Sequence, residues 1–255
     1  MKLISAALPA ALILVLAGAG RAQAEDTVKT DGRWRGSLGL GASLSSGNTD
    51  ASSISLTGDA VRATEQDRTS LYLNGQYASS EGEATSENTR LGGRYDWNLG
   101  PDYFAFGSLG LENNRFSNVK LRGQVAVGPG WHVIQSPRTT FDVFAGFSYT
   151  AESYYDPMFI DGQLRESYNY PGLMLGEESS HTLTENTDFR QRLTVVPNLS
   201  NTGEYRANWN AGLAVAMNET LNLTVGFTYA YNSEPGPKRE TTDTTLTAGI
   251  AVKFE

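Results

Sequence analysis

The chain has 255 residues, with 27 glycines, 9 prolines, no cysteine, 2 histidines and a formal net charge of −8. The absence of cysteine excludes a disulfide scaffold, a thiolate metal site and a cysteine nucleophile. The acidic balance disfavours nucleic acid, and two histidines leave little room for a histidine-rich centre, so we expect no nucleic acid, metal or cofactor.

The N-terminus has the pattern of a secretory signal peptide. Lys2 precedes an uncharged, mostly apolar run, and Ala22-Gln23-Ala24 stands before Glu25, which predicts export and removal of residues 1–24. The alternative is a membrane anchor, but Pro9 interrupts the run. We expect residues 25–32 to form a short periplasmic segment and residues 33–255 to form one domain.

The rest of the chain alternates apolar and polar residues with a period of two, which is typical of strands. In residues 221–231 the apolar set includes Leu223, Val225 and Phe227, and its alternates are Asn, Thr, Gly and Ala. The eighth and ninth segments show the weakest alternation. Twelve such segments are predicted, near 33–44, 51–63, 68–79, 86–99, 102–113, 117–133, 139–151, 171–184, 187–197, 203–216, 220–232 and 241–254.

The lengths of these segments and their connections indicate a membrane barrel. Most run about eleven to fourteen residues, whereas soluble strands usually have about five or six and a tilted membrane strand needs about nine to eleven. Short turns alternate with longer loops such as Ser80–Thr85 and Glu152–Tyr170, as in outer-membrane barrels. The fold class is therefore all-β, an up-and-down antiparallel transmembrane β-barrel of about twelve strands.

A soluble β-sandwich also alternates, so the position of the aromatic residues decides between the two. A soluble core would concentrate aromatic residues in mid-strand, whereas here they gather at strand ends, as in the two belts of a membrane barrel. The predicted belts are Trp34, Trp97, Tyr103, Trp131, Phe141 and Phe254 at the short-turn side, and Tyr77, Tyr149, Tyr205 and Tyr231 at the long-loop side.

The charged residues on the polar face form the one plausible functional constellation. Buried charges must be paired or hydrated, so mixed signs predict either an internal ion-pair network that plugs the barrel or a narrow wet pore. The excess of arginine on this face favours anions, whereas the acidic loop residues Asp156, Asp161 and Glu166 disfavour them at the mouth. The predicted lumen charges are Arg35, Asp59, Arg90, Arg94, Asp96, Glu112, Lys120, Arg122, Asp142, Arg190, Arg192 and Arg206.

An enzyme needs a nucleophile and a base that substrate can reach. His132 and His181 both fall toward the short-turn side, away from the outer rim where barrel hydrolases act. We interpret them as polar lumen or interface residues and predict no catalytic residue and no enzyme. The adjacent Glu177 and Glu178 read as solvated surface.

Several short motifs resemble those of a family of uncharacterised Gram-negative proteins described as salt-induced outer-membrane proteins. They are Trp34-Arg35-Gly36, Ser46-Gly47-Asn48-Thr49, Leu91-Gly92-Gly93-Arg94-Tyr95, Tyr231-Asn232-Ser233 with Pro235, and Thr242-Asp243. The likeness covers nearly all of the chain after residue 24. It implies an outer-membrane β-barrel of unknown activity.

Together these features predict a porin-like protein of the cell outer membrane. The first hypothesis is a narrow passive pore, or an envelope component, linked to salt or osmotic conditions. The alternative is a non-conducting structural or adhesive surface barrel, and an outer-membrane hydrolase is the least favoured. Expected partners are outer-membrane lipid and lipopolysaccharide, the barrel-assembly machinery during biogenesis, and small solutes or ions.

Overall fold

The computed structural model describes residues 29–45, 51–160, 162–235 and 240–254. The predicted signal peptide and the Ser46-Gly47-Asn48-Thr49 motif lie outside the described residues. In the part of the chain that the structure describes, every regular element is a strand, and no helix is long and apolar enough to cross a membrane.

The strands close into a single barrel. Each strand pairs antiparallel with its neighbours in sequence, and β12 pairs with β1, which confirms the predicted closed, up-and-down barrel of twelve strands. The strands are β1 (Trp34–Ser45), β2 (Ala51–Ala63), β3 (Asp67–Ser80), β4 (Glu83–Asn98), β5 (Tyr103–Asn114), β6 (Val119–Gln135), β7 (Thr139–Ile160), β8 (Gln163–Thr184), β9 (Thr187–Pro197), β10 (Tyr205–Ala216), β11 (Leu221–Asn232) and β12 (Thr242–Phe254).

The alternation in the sequence becomes an outer and an inner surface because successive side chains of a strand point to opposite faces. On β11, Leu223 and Val225 face outward and are 47% and 41% exposed. Thr224 and Gly226 between them face the interior. Closure leaves no free sheet edge around the paired part of the wall, which is the condition for a sheet to lie in lipid.

The predicted long loop Glu152–Tyr170 is instead the extension of two strands. β7 and β8 have 22 residues each and pair up to Ile160 and Gln163, with a register shift between Ser153 and Met158. Buried tyrosines hold this hairpin together: Tyr154, Tyr168 and Tyr170 form one cluster, and Met158 and Ile160 pack against it. These residues do not alternate regularly with polar ones, so the period-two pattern stops before the strands do.

The predicted loop Ser80–Thr85 is also shorter in the structure. β3 ends at Ser80 and β4 begins at Glu83, which leaves Glu81 and Gly82 as a two-residue turn. Their φ angles are +53° and +84°, and positive φ at both central residues is the type I′ geometry that matches the twist of a hairpin. The residues at the tip of the β3–β4 hairpin are polar on both faces of the strands, so their sequence resembles that of a loop.

Candidate functional site in the barrel interior

The two sides of the barrel interior carry different side chains. We call the inner wall of β3 to β9 the packed half, because it holds the large aromatic residues and most of the charges. We call the inner wall of β10, β11, β12, β1 and β2 the open half. In mid-strand the open half carries one charge, Asp59, which lies opposite Ser37. Its other mid-strand residues are small or uncharged, namely Asn208, Asn210, Gly212, Ala214, Thr224, Gly226, Thr228, Thr245, Thr247, Gly249, Ser37, Gly39, Gly41, Ser53, Ser55 and Thr57.

An apolar core fills the middle of the packed half. Phe104, Phe106 and Phe144 are at most 4% exposed and pack with Met174 and Val196. The rings of Phe106 and Phe144 meet edge to face, with centroids 5.2 Å apart. The sequence prediction did not include these inner aromatics. The available signal was in β5, where Tyr103 and Phe104 put aromatic rings on both faces of one strand.

A lower cluster of charges lies toward the short-turn end. Arg68 Nε lies 3.0 Å from Asp96 Oδ2, and its Nη2 lies 3.5 Å from Asp142 Oδ2 and 3.4 Å from Glu178 Oε1. Arg94 Nε donates to Asp96 Oδ1 at 2.5 Å. Because Arg68 is on β3 while Asp142 and Glu178 are on β7 and β8, these ion pairs cross the interior instead of following the wall.

The guanidinium of Arg94 joins the lower cluster to the apolar core. Its Cζ atom lies 4.3 Å from the ring centroid of Phe144, 5.0 Å from that of Phe106 and 5.1 Å from that of Phe104. The side chain is only 3% exposed. A desolvated cation among three aromatic faces gains from their quadrupoles, so Arg94 is held in place and closes this side of the barrel.

An upper cluster of alternating charges runs along the wall toward the loop end. Glu112 joins two arginines: Arg90 Nη2 lies 2.9 Å from Oε1, and Arg122 Nη1 lies 2.7 Å from Oε2. Arg122 also pairs with Glu152 at 3.2 Å, and Glu152 pairs with Arg206 of β10 at 2.5 Å. The chain of contacts therefore passes from β4 to β10.

Glu152 is the centre of the upper cluster. Its side chain is 1% exposed. Besides the two arginines, it accepts hydrogen bonds from the hydroxyl groups of Tyr170 at 2.9 Å and Tyr154 at 3.2 Å. Arg206 also donates to the hydroxyl of Tyr170. A buried carboxylate with four donors is fully compensated, so the upper cluster fixes the top of the packed half.

Of the twelve residues predicted to line the lumen, eight enter these clusters or border them, and four lie apart. The clusters take Arg90, Arg94, Asp96, Glu112, Arg122, Asp142, Arg192 and Arg206. Asp59 accepts a hydrogen bond from Ser37 at 2.6 Å. Arg190 is exposed to the interior, and Lys120 is exposed at a bulge in the register of β6 with β7.

The fourth of the separate residues, Arg35, lies at the short-turn end of β1. Its guanidinium pairs with Asp31 at 2.6 Å. Asp31 precedes the strand, and the hydrogen bonds from the Arg35 side chain and the Arg33 amide hold the pKa of its carboxyl well below the ordinary value. This pair ties the N-terminal segment to the barrel rim.

Three cluster members were missed by the sequence analysis. Arg68 is at the very start of its segment, and Glu152 was assigned to a loop. Glu178 was read as surface because Glu177 precedes it, and two consecutive acids hide which of them faces inward. In the structure Glu178 faces Arg68, Arg94 and Arg192, the last at 3.6 Å.

Water can reach the open half from inside the barrel. Thr57, Asp59 and Asn210 face inward and are nonetheless exposed. On the borders of the packed half, Tyr72 and Arg190 are also inward-facing and exposed. Tyr72 is 40% exposed. Side chains that point into the barrel and still meet solvent mark unfilled space next to them.

The residues of the predicted aromatic belts all lie on the outer surface, and all except Tyr149 lie toward strand ends. Trp97 and Tyr103 are 58% and 60% exposed at the short-turn end. At the loop end the rings of Tyr205 and Tyr231 stack with centroids 5.3 Å apart. The same placement holds for Trp34, Trp131, Phe141 and Phe254 at the short-turn end and for Tyr77 at the loop end. Tyr149 also faces outward, but it lies in the middle of β7, because that strand continues beyond the predicted end to Ile160.

The two histidines face opposite sides of the wall. His132 faces inward, with Nδ1 2.7 Å from Asp142 Oδ1, and belongs to the edge of the lower cluster. His181 faces outward and contacts Ser179 and Thr139. Within the described residues, no group of three or more His, Asp or Glu side chains is placed to hold a metal ion.

Comparison with known proteins gives a family. Residues 38–254 match the model of the family described as "Protein of unknown function, DUF481", and the chain belongs to this family. It is 29% identical over 233 residues to the uncharacterized protein YdiY of Escherichia coli (strain K12), covering 89% of this chain and 87% of that protein.

Two solved structures illustrate the structural likeness. The NanC porin is 10% identical, with a TM-score of 0.49 over 87% of this chain and 99% of that chain. The translocator domain of the autotransporter NalP from Neisseria meningitidis is 14% identical, with a TM-score of 0.43 over 87% of each chain.

Proposed function

We propose that this member of the DUF481 family is a narrow passive channel of the Gram-negative outer membrane, exported by its N-terminal signal peptide. The solute path runs along the open half of the barrel interior. The packed half is the rigid wall that keeps the path in shape.

The outer surface supports the membrane location. Leu38, Leu40, Val127, Phe147 and Leu246 face outward and are between 52% and 74% exposed. A soluble protein rarely exposes so large a continuous apolar surface, whereas lipid covers it at no cost. Aromatic rings at both ends of the strands suit the two interfaces of a bilayer.

The observation that carries the channel is the composition of the open half. Apart from Asp59, five consecutive strands present only Gly, Ala, Ser, Thr and Asn to the interior in mid-strand. Twelve strands enclose more space than the eight that side chains just fill. Since the ion pairs and phenylalanines fill only the side of β3 to β9, the remaining side is left for water and small solutes.

The lining also favours a class of solute. Two positive charges border the path, the exposed Arg190 and the half-buried Arg192, against one exposed negative charge in the open half, Asp59. Glu178 adds little negative charge to the path, because it already faces three arginines. Charges that line a pore select by sign, so small anions pass more readily than cations. The resemblance to salt-induced proteins supports a role under changing salt or osmotic conditions.

Single-channel recording of the refolded protein in planar bilayers tests this proposal, with Gly212→Trp as the informative variant. A Cβ atom on Gly212 has no neighbour nearer than 4.0 Å, so the indole projects into the path. We expect the conductance to fall by about half or more, because Trp adds a large planar side chain.

Ala211→Trp is the matched control, because it adds the same bulk to the lipid-facing side of the same strand. It should leave the conductance unchanged. Heat-modifiable migration on a gel shows that both variants fold. Absence of current steps in the parent protein would overturn the channel and favour the non-conducting structural barrel.

A further inference from the structure

The outer surface has one polar interruption, which starts at the short-turn belt, where Ser179 is in register with Phe141. It lies on two neighbouring strands, β8 and β9, where the alternation in the sequence is weakest. We call the four outward-facing side chains Glu177, Ser179, His181 and Gln191 the lateral patch. Among the outward-facing residues of the described strands, Glu177 is the one carboxylate between the cross-strand rows of the belt residues Phe141 and Tyr149.

Three of the four residues of the lateral patch have partners on the same surface. His181 Nε2 lies 3.2 Å from Ser179 Oγ, and its Nδ1 lies 3.3 Å from Thr139 Oγ1. Ser179 and Gln191 are opposite each other in the register. The indole of Trp209 donates to Gln191 Oε1 at 3.2 Å.

Glu177 is different, because its two cross-strand neighbours are apolar. It is in register with Val143 on one side and Leu193 on the other, and Leu175 precedes it on the same face. Its Oε2 atom is buried and has no hydrogen-bond partner, and no ion pair of this side chain occurs among the described residues. A carboxyl group facing hydrocarbon without a partner is costly in either protonation state.

We propose that the lateral patch is the contact surface for a second copy of this chain in the membrane. The inference rests on the membrane placement in the proposed function but not on conductance. An acid, an imidazole, a hydroxyl and an amide together supply both donors and acceptors. A two-fold axis through such a patch brings each group of one protomer against the same patch of its partner.

The chemistry favours this occupant over lipid. Acyl chains offer no donor to the Glu177 carboxyl group. The rest of the described surface between the belts has no other carboxylate, so a copy docked elsewhere would leave this one in hydrocarbon. In a two-fold dimer the carboxyl group meets an imidazole or an amide, and such hydrogen bonds between membrane segments stabilise association.

Cysteine cross-linking tests the surface directly, because the chain has no cysteine of its own. Leu175→Cys and Leu193→Cys flank the lateral patch. Leu73→Cys is the control on β3, which faces outward on the far side of the barrel. Each variant is reconstituted in vesicles of phosphatidylethanolamine and phosphatidylglycerol and treated with a short bismaleimide. We expect covalent dimers from the two patch variants and none from the control.

A second pair of variants tests the polar groups themselves. Glu177→Leu combined with Leu175→Cys should lose most of the cross-linked dimer. Glu87→Leu combined with Leu175→Cys removes another outward carboxylate, near the loop end, and should keep the dimer. Heat-modifiable migration confirms that each barrel is folded before the comparison is made.

The outcomes separate the two proposals. Equal cross-linking at Leu73 and Leu175, no dimer at all, or a dimer unaffected by Glu177→Leu would each overturn the interface. Planar-bilayer recording of the same preparations shows whether a monomeric barrel still conducts. A parent protein that conducts but gives no dimer would contradict the interface and leave the channel intact, whereas a parent dimer without current steps would contradict the channel and leave the interface intact.

Discussion

The packed and open halves of the interior belong to one barrel with one kind of outer surface, yet different side chains line them. In the packed half, phenylalanines and two clusters of ion pairs bury charges such as Arg94 and Glu152. In the open half, small neutral residues such as Gly212 and Thr224 leave the space empty. The alternation in the sequence determines only which face of a strand points inward. The volume and the pairing of the inward side chains determine whether the interior is packed or open.

This difference has an energetic consequence. A buried charge is tolerated only while its partners remain. When one partner is removed, the desolvation cost of the remaining charge is no longer compensated. A hydroxyl or amide next to lumen water loses little when it is removed, since water takes over its hydrogen bonds. Substitutions in the packed half should therefore unfold the barrel, and those in the open half should change permeation.

The largest effect is expected from Glu152→Gln. The substitution keeps the shape of the side chain but leaves Arg122 and Arg206 without their shared carboxylate. Breaking a buried ion pair on one side costs about 3–5 kcal/mol. A urea titration in lipid vesicles should show this loss. Asn210→Ala in the open half is the control and should stay within about 0.5 kcal/mol; equal losses would contradict the division of the interior.

A smaller loss of stability is expected from a charge placed on the outer surface of β11, compared with the same charge placed on its inner face. Leu223→Arg puts a charge against lipid in mid-strand and should cost about 2–4 kcal/mol. Thr224→Arg, the next residue, points into the open half, where the long side chain can reach water, and should cost less than about 1 kcal/mol. Folding titrations of both variants make the comparison. A similar loss for both would mean that the open half is filled or that the facing of β11 is wrong.

The sequence predicts the outer surface of this protein far better than its interior. Residues that face lipid must be apolar in every strand, so Leu223, Val225 and Phe227 report their own position. The interior accepts small polar residues as well as paired charges and packed aromatic residues. The identity of Phe104 or Glu178 in the sequence therefore does not show whether the residue faces the interior. The contacts of Arg68 with Asp142 and Glu178 join strands far apart in the chain, so no local pattern contains them.

The β7–β8 hairpin shows the same limit at the loop end. Beyond the membrane the outer face no longer needs apolar residues, so the alternation fades near Glu152 while the strands continue to Ile160 and Gln163. What continues them is packing among Tyr154, Tyr168 and Tyr170. The lateral patch is the converse case, because Glu177 and Gln191 weaken the alternation within the wall, and that irregularity is the one sequence signal of the patch.

The smallest effect is expected from the charges on the border between the two halves. Arg190 is exposed to the interior, and Arg192 is paired with Glu178 only at 3.6 Å, so both remain open to solutes in the path. Replacing them together, Arg190→Gln with Arg192→Gln, should shift selectivity away from anions and cost less stability than Glu152→Gln, because Glu178 keeps its contacts with Arg68 and Arg94. In water one charge at contact distance contributes about 1 kcal/mol, so the permeability ratio should change by a few-fold, measured as the reversal potential in a potassium chloride gradient.

Arg138→Gln, which removes the same charge at an exposed turn outside the barrel, is the control. An unchanged reversal potential in the double variant would show that solutes do not pass along this border, and the path would then have to lie deeper within the small residues of the open half.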